Sequence, residues 1–267
     1  MDSTLAKGLA VLDWLVRQQH DCRVTDVAAA FDSQRSNAHR TLQTLVGCGW
    51  ALQDPASSAY RPSLRLFELG ALVEAAADLK TLLRPALATL AQASGETIHL
   101  AVLEATEIVY LDKFDSPLPV AAYSRIGGRA PAHCVASGKA LLAAADLDTE
   151  ALALRLGRLA AHTPNSITDP ARLAADLALC RQRGYAFNRE EWRLGVCGLG
   201  AAVHNARGEP VAAIGISVPA MRFGKAQAQT LAQALLAAVQ QAGALLGYRP
   251  PAEPRTSSIK TTPRRLA

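Results

Sequence analysis

Residues Val24 to Gly49, VTDVAAAFDSQRSNAHRTLQTLVGCG, constrain this chain more than any other stretch: they read as two short helices joined by a tight turn. In the first, Val24, Val27, Ala28 and Phe31 recur at the spacing of one helical face, and Thr25 and Asp26 offer cap oxygens to the first turn. Asp32 and Ser33 break the pattern. The second helix opens on Ser33, a natural N-cap. It turns Ala38, Leu42, Leu45 and Val46 inward and Gln34, Arg35, Asn37, His39, Arg40, Gln43 and Thr44 elsewhere, and Gly47 and Gly49 stop it. Arg pairs bidentately with guanine and Asn or Gln with adenine in the major groove of DNA, so this outer face suits base readout. It also contains no Asp or Glu, whereas a solvent-facing helix ordinarily mixes both signs.

Trp50 to Leu52 and Ala59 to Arg61 read as two short strands around the turn-rich Gln-Asp-Pro-Ala-Ser-Ser, a small hairpin or wing. Leu5 to Gln18 is an amphipathic helix whose stripe of Leu5, Leu9, Leu12, Leu15 and Val16 packs on the helix pair. The pattern thus predicts a winged helix-turn-helix that touches DNA with Gln34, Arg35, Ser36, Asn37, His39, Arg40 and Thr44, and with Arg61 near phosphates. A plain three-helix cap that binds nothing has the same periodicity.

The chain has 267 residues, half of them apolar, enough for about two domains with real cores. No run of about 18 uncharged apolar residues occurs, and Met-Asp-Ser-Thr-Leu-Ala-Lys is no secretory leader, so a cytoplasmic location is expected. Cys22, Cys48, Cys134, Cys180 and Cys197 are scattered without a Cys-x-x-Cys pair and read as reduced, mostly buried thiols. The net charge of +5 is a poor guide to a nucleic-acid partner, because most of it lies in the tail from Arg249 to Ala267, where five cations face Glu253 alone. Residues 1–62 are formally neutral, six cations against six aspartates. What counts is segregation: the acids stand at helix starts and turns, and Arg35 and Arg40 stand on the reading helix. The tail, rich in Pro, Ser and Thr, reads as disordered.

Beyond the wing, Ser63 to Ala77 and Leu79 to Ser94 are helical, the first a connector. Strands follow at Thr97–Leu103, Ile108–Lys113 and Val120–Tyr123, then helices at Ser137–Ala145, Asp148–Leu156 and Pro170–Arg183. Strands return at Tyr185–Asn188, Leu199–His204 and Val211–Val218, before a long helix from Lys225 to Leu246. Strands joined by short turns, with helices grouped between them, predict an α+β fold with an antiparallel sheet. The expected boundaries are 1–62 for the DNA-binding module, 63–78 for the connector, 79–248 for the second domain and 249–267 for the basic tail.

The order of winged module, connector, Gly95-Glu-Thr-Ile-His-Leu100, Val109-Tyr-Leu-Asp112, Gly127-Gly-Arg-Ala-Pro-Ala-His133, Ser137-Gly-Lys-Ala-Leu-Leu142, Ile167-Thr-Asp-Pro170, Arg183-Gly-Tyr-Ala186 and Ile214-Gly-Ile-Ser-Val-Pro219 resembles the IclR family of bacterial transcriptional regulators, from about Ser3 to the final helix. The resemblance implies a GAF-like or profilin-like C-terminal domain that holds a small effector on its antiparallel sheet. It also implies homodimers through the N-terminal modules and homotetramers through the effector domains. Carried over by position, the pocket is lined by Ala130, Ala136 and Ser137, by Asn188 where an Asp often stands, and by Glu190. Cys197-Gly198 replaces the common Arg-Cys pair, Gly215 stands where a serine is often found, and Ser217 keeps the next polar position. Glycine at two often polar positions suggests a roomier pocket, which leaves room for a bulkier, aromatic carboxylate.

The residues themselves support an anion site modestly. Ser137 opens a helix, where free N–H groups and the dipole favour a carboxylate, and a simple N-cap accounts for it equally. His133-Cys134 and Cys197 with His204 lack an orienting carboxylate, so no catalytic residue is expected. Glu190-Glu191 reads as a solvated turn and His99 as a packed strand residue. No metal-ligand spacing stands out, and no cofactor is called for. The expected protein is a regulator with operator DNA, a small organic acid and itself as partners; whether it activates or represses stays open. The competing readings are an enzyme acting on a small carboxylate, with the N-terminal module serving oligomerisation, and a ligand-binding adaptor without DNA contact.

Overall fold

The computed structural model describes residues 3–18, 20–71, 74–122 and 124–249. The chain separates into two compact units between Ala77 and Asp78. The expectation of a disordered tail falls on residues that, beyond Arg249, lie outside those described.

In the first unit α1 (Ser3–Arg17), α2 (Val24–Ala30) and α3 (Arg35–Gly47) precede a hairpin of β1 (Ala51–Gln53) and β2 (Tyr60–Pro62), followed by α4 (Arg65–Ala71). The hairpin is antiparallel, with Leu52 opposite Arg61, and Cys22 forms an isolated bridge to Tyr60. The start of α2 is held by Asp26, whose carboxylate accepts the Arg23 N–H at 2.7 Å, one of the donors a helix leaves orphaned. The start of α3 differs from expectation. Its N-cap is Gln34, with no side-chain cap bond, while the Ser33 hydroxyl is buried without a partner among the described residues. The backbone of Ser33 is drawn back instead, its N–H donating to the Ala28 carbonyl at 3.0 Å. At the far end Gly49 adopts φ +77°, and the Trp50 N–H closes the helix on Leu45 O. Val11, Leu12, Leu15, Val27, Ala38, Leu42, Leu45 and Tyr60 form the core. The α1 stripe is corrected: Val11, Leu12 and Leu15 are buried, but Leu5, Leu9 and Val16 are 62%, 58% and 47% exposed.

The connector was expected as one helix from Ser63 to Ala77. Its described parts are α4 and the beginning of α5 (Glu74–Ser94), and residues 72–73 lie outside the described set. The second helix therefore starts five residues before Leu79 and contains Pro85 in its interior.

The second unit is built on β3 (Thr97–Glu104), β4 (Glu107–Phe114), β5 (Arg129–Pro131), β6 (Ala186–Arg189), β7 (Val196–His204) and β8 (Pro210–Pro219). These form one sheet in the order β5-β4-β3-β8-β7-β6, every neighbouring pair antiparallel. The expected strand at Val120–Tyr123 is absent over Val120–Ala122, and Tyr123 lies outside the described residues. The sheet has β5 at one edge and β6 at the other, and the three residues of β5 end in Pro131, which an edge strand tolerates.

Alternation along the strands sends Ile98, Leu100, Leu199, Ile214 and Ile216 to one face. There Leu83, Leu87 and Leu90 of α5 and Leu231 and Leu235 of α9 (Lys225–Leu245) cover them. The other face is covered by α6 (Ala136–Ala144), α7 (Thr149–Leu156) and α8 (Pro170–Arg183), through Leu141, Leu142, Leu152, Leu173 and Leu177 on Ala101, Ile108, Ala186 and Ala213. Among the described residues no helix is long and apolar enough to cross a membrane, and Cys48 alone of the five free cysteines is exposed.

Candidate nucleic-acid interface and effector site

On α3 the inward residues Ala38, Leu42 and Leu45 are buried, so the opposite side faces out: Gln34, Arg35, Ser36, His39, Arg40 and Thr44 are exposed and Asn37 is half-buried. Arg40 Nη2 donates to Asn37 Oδ1 at 3.0 Å, which pre-positions two base-reading side chains as one unit. The Thr44 hydroxyl is engaged by its own helix, donating to Arg40 O at 2.9 Å. Gln43, not counted among the candidate residues, ties helix to wing by donating to Gln53 Oε1 and the Tyr60 hydroxyl, each at 2.9 Å. Between them runs a groove lined by Val24, Arg35, Ser36, His39, Gln53, Ser58 and Tyr60. Arg61 is exposed on β2. With no side chain capping α3, its first N–H groups remain available to a phosphate oxygen.

On the sheet face beneath α6, strand register lines up two rows. One is Thr97, Ser217, Gly198 and Asn188, and the next is His99, Gly215, Gly200 and Ala186. The helix sits very close over the second row. A Cβ on Gly200 would stand 2.4 Å from Ser137 N, and one on Gly215 would stand 2.3 Å from Ser137 Oγ. A Cβ on Gly198 would meet the Ile216 carbonyl at 2.3 Å. The expectation of a roomier pocket at Gly198 and Gly215 is therefore wrong: both are points of close approach whose space is already occupied.

The other candidates separate. Ala130 on β5 and Ala136 at the first position of α6 are buried. Ser137 is not the N-cap, since Val135 holds that place without a side-chain bond. Its residue is 5% exposed, yet no described residue hydrogen-bonds its hydroxyl. Ser217 is half-buried on the same face. Asn188 is buried and accepts the Glu191 N–H at 2.9 Å. Glu190 lies in the β6–β7 turn at φ +62°, where its carboxylate accepts the Gly195 N–H at 2.7 Å, so it serves the turn. Cys197 pairs with Val218, which puts it on the α5/α9 face, opposite Gly198 and Ser217. Its thiol, raised by burial, does not share the candidate surface.

Two residues, Lys139 and Glu191, acquire roles that sequence reasoning missed, and His99 is packed on its strand as expected. Lys139, two residues into α6 from Ser137, is 1% exposed, and its ammonium donates at 2.8 Å to both oxygens of Glu191 and to Asp176. Glu191 is thus a buried ion-pair partner and not part of a solvated turn. His99 is buried with Nε2 2.6 Å from Ser124 Oγ and its ring 4.8 Å from that of Tyr110. Burial, reinforced by the Lys113 charge, pulls its pKa down to about 4. Neighbouring Thr97 donates to Ala122 O and accepts the Ser116 N–H, so Ser116 and Ala122 are both held at this end of the rows.

Residues 4–55 match the model of the IclR helix-turn-helix domain, and residues 72–244 match that of the bacterial transcriptional regulator IclR C-terminal domain. The chain is 31% identical over 246 residues to the HTH-type transcriptional regulator XynR of Escherichia coli, covering 92% of this chain and 97% of that protein. Among solved structures, the Thermotoga maritima IclR is similar with a TM-score of 0.76 at 30% identity, covering 93% of this chain and all of that one (100%). An IclR homolog from Microbacterium hydrocarbonoxydans, solved in complex with 4-hydroxybenzoate, is similar with a TM-score of 0.75 at 25% identity, covering 91% of this chain and 99% of that one.

Gly215→Ala is expected to cost about 1–3 kcal/mol by overpacking against Ser137. Ser137→Ala in the same chain restores most of that, because the Ser137 Cβ is 3.7 Å from the added methyl. Urea unfolding of the two single variants and the double variant tests this, and costs that simply add would show that the two residues do not meet. A second outcome concerns pH. The native pKa of His99 lies below its unfolded value of 6.5, so its contribution is fully present above pH 6.5 and is lost as pH falls toward 4. His99→Gln is expected to remove about 2 kcal/mol of the difference in unfolding free energy between pH 7 and pH 5.

Proposed function

This chain belongs to the IclR family of bacterial transcriptional regulators, and we propose that it reads operator DNA with α3 under the control of a small organic acid seated at the start of α6. Members of the family are DNA-binding regulators and not enzymes, which removes the reading of the second unit as a carboxylate-converting catalyst. The observation that carries the DNA reading is the outward face of α3: Arg35, Ser36, His39 and Arg40 exposed, Asn37 bonded to Arg40, and no carboxylate on the helix. Arg61 and the wing tip at Ser57-Ser58 supply phosphate contacts that position the reader, while α3 specifies the sequence.

The effector reading rests on Ser137. A hydroxyl without a hydrogen-bond partner among the described residues, on a nearly buried residue in the first turn of a helix that no side chain caps, is suited to a carboxylate oxygen. Thr97, His99 and Ser217 share the sheet face below it. The 4-hydroxybenzoate bound by the Microbacterium homolog supports an organic acid, aromatic acids included. Self-association completes the reading. Leu5, Leu9 and Val16 fall on one side of α1 and are covered by a second copy, which presents two α3 helices to a palindromic operator. Tetramers form through the effector units. The parts are residues 1–62 for DNA, 63–78 for connection, 79–248 for the effector and 249–267 as a basic tail, all acting in the cytoplasm.

Footprinting upstream of the protein's own and neighbouring genes is expected to protect a near-palindromic site. Arg35→Ala and Arg40→Ala are each expected to lose about 1–3 kcal/mol of operator affinity, and Arg61→Ala to reduce the salt slope by about one. Unchanged affinity in both α3 variants overturns the assignment of the reading helix. For the effector, calorimetry against aliphatic 2-oxo acids and 4-hydroxybenzoate is expected to find a ligand whose binding weakens by about 1.5–3 kcal/mol in Ser137→Ala. A carboxylate that binds both proteins equally places the site elsewhere.

A further inference from the structure

Away from the sheet rows, the short turn Ala132–Cys134 ahead of α6 and the segment after α7 bring three metal-ligating side chains together. The ligand atoms of His133, Cys134 and His162 all lie within 4.8 Å of one another. We propose that these three residues form a binding site for a zinc-like divalent cation, with its fourth position left to water or another donor.

One thiolate with two imidazoles is a borderline-soft set, the kind that selects zinc over magnesium or calcium, and three protein ligands with an open fourth position is a recurrent zinc arrangement. The hydrogen bonding of His133 points the same way. Its Nε2 lies 3.1 Å from the Ala160 carbonyl, which can only accept, so Nε2 carries the proton and Nδ1 keeps its lone pair. A ring that donates one nitrogen to a backbone carbonyl and offers the other is how metal-bound histidines are commonly held.

His162 is the exposed member, its ring edge-on to Trp192 at 4.5 Å, and it opens the site to solvent. Metal–ligand lengths of about 2.0–2.3 Å put tetrahedral donors roughly 3.3–3.8 Å apart, so the trio closes by about 1 Å on binding. His162, on the surface, is the residue free to make that movement. Lys139 is the nearby cation that would oppose a metal, and Glu191 and Asp176 already neutralise it. Cys134 enters as a thiol, because burial raises its pKa to about 11. The metal displaces that proton: the S–H bond breaks, the sulfur–metal bond forms, and one H⁺ leaves to solvent with no change in oxidation state. The bound ion would clamp the 160–162 segment to the turn that leads into α6.

The site stands apart from the DNA and effector readings and is tested without either ligand. Full-length protein stripped with a chelator and titrated with Co²⁺ is expected to bind one equivalent, with a tetrahedral ligand-field spectrum and a thiolate-to-metal charge-transfer band, both erased by Zn²⁺. Cys134→Ser removes the charge-transfer band, and Cys48→Ser, at the exposed thiol, leaves it intact. His162→Ala alters only a surface residue, so folding is preserved, and it weakens Co²⁺ binding by at least about tenfold. Absence of the band in the parent protein, its persistence in Cys134→Ser, or unchanged affinity in His162→Ala each overturns the proposal.

Discussion

The second unit depends on the contact between the first turn of α6 and the sheet. Three glycines make it possible: Gly200 and Gly215 leave the strands bare beneath Ala136 and Ser137, and Gly138 lets the helix pass the Ala132 backbone, whose carbonyl would stand 2.3 Å from any Cβ there. Interiors are packed closely enough that one methyl at such a place must displace something. The contact is then locked from the next turn. Lys139, buried at 1% exposure, is tolerable only because Glu191 and Asp176 surround its ammonium. Removing one partner would strand a buried charge, which is far costlier than never having buried the group. Seam and ion pair together present the uncapped start of α6 to the sheet face.

Charge placement, not net charge, distinguishes the first unit. Three of its acids are engaged locally: Asp26 accepts the Arg23 N–H, Asp54 accepts those of Ala56 and Ser57 at the wing tip, and Asp13 pairs with Arg17 one turn on. Residues 1–62, formally neutral as a whole, thereby keep α3 free of carboxylates. Such a local surface is what a polyanion meets, since exposed charges more than about 10 Å away are largely screened at ordinary ionic strength.

Most of this architecture was legible in the sequence because periodicity and end signals agreed. Pro170–Arg183 was read to the residue, with Asp169 as a cap accepting two N–H groups and Gly184 in the left-handed conformation closing the end. Legibility failed where tertiary contacts overruled local grammar. Ser33 has the chemistry of an N-cap, but the turn draws its backbone to Ala28 and the helix starts two residues later. A serine and a glycine 78 positions apart do not announce that one fills the other's space, so Gly215 looked like spare volume. The face of Cys197 was decided by register, because a shift of one residue along a strand exchanges the two sides of a sheet. Lys139, Glu191 and Asp176, like His133, Cys134 and His162, converge from separate elements and have no common spacing to read.

The same sheet offers a physical route for the proposed control. On β3 and β8, residues that face α6 alternate with residues that face α5: His99 with Ile98 and Leu100, Gly215 with Ile214 and Ile216. Leu83, Leu87 and Leu90 of α5 lie directly on that second set, and Arg84 of the same helix is bonded to the buried Asp112 of β4. A ligand that moves α6 against the glycine seam therefore acts on strands whose other side is packed by α5, the helix that begins at Glu74 on the N-terminal side of the boundary between units. Contact alone does not make a switch. The ligand must bind two arrangements of α6 with different affinity, and a difference of about 1–3 kcal/mol suffices for roughly 5- to 150-fold changes in DNA affinity. The close packing at Gly200 and Gly215 favours such a two-position response, because a seam without slack shifts between discrete packings and does not yield by degrees.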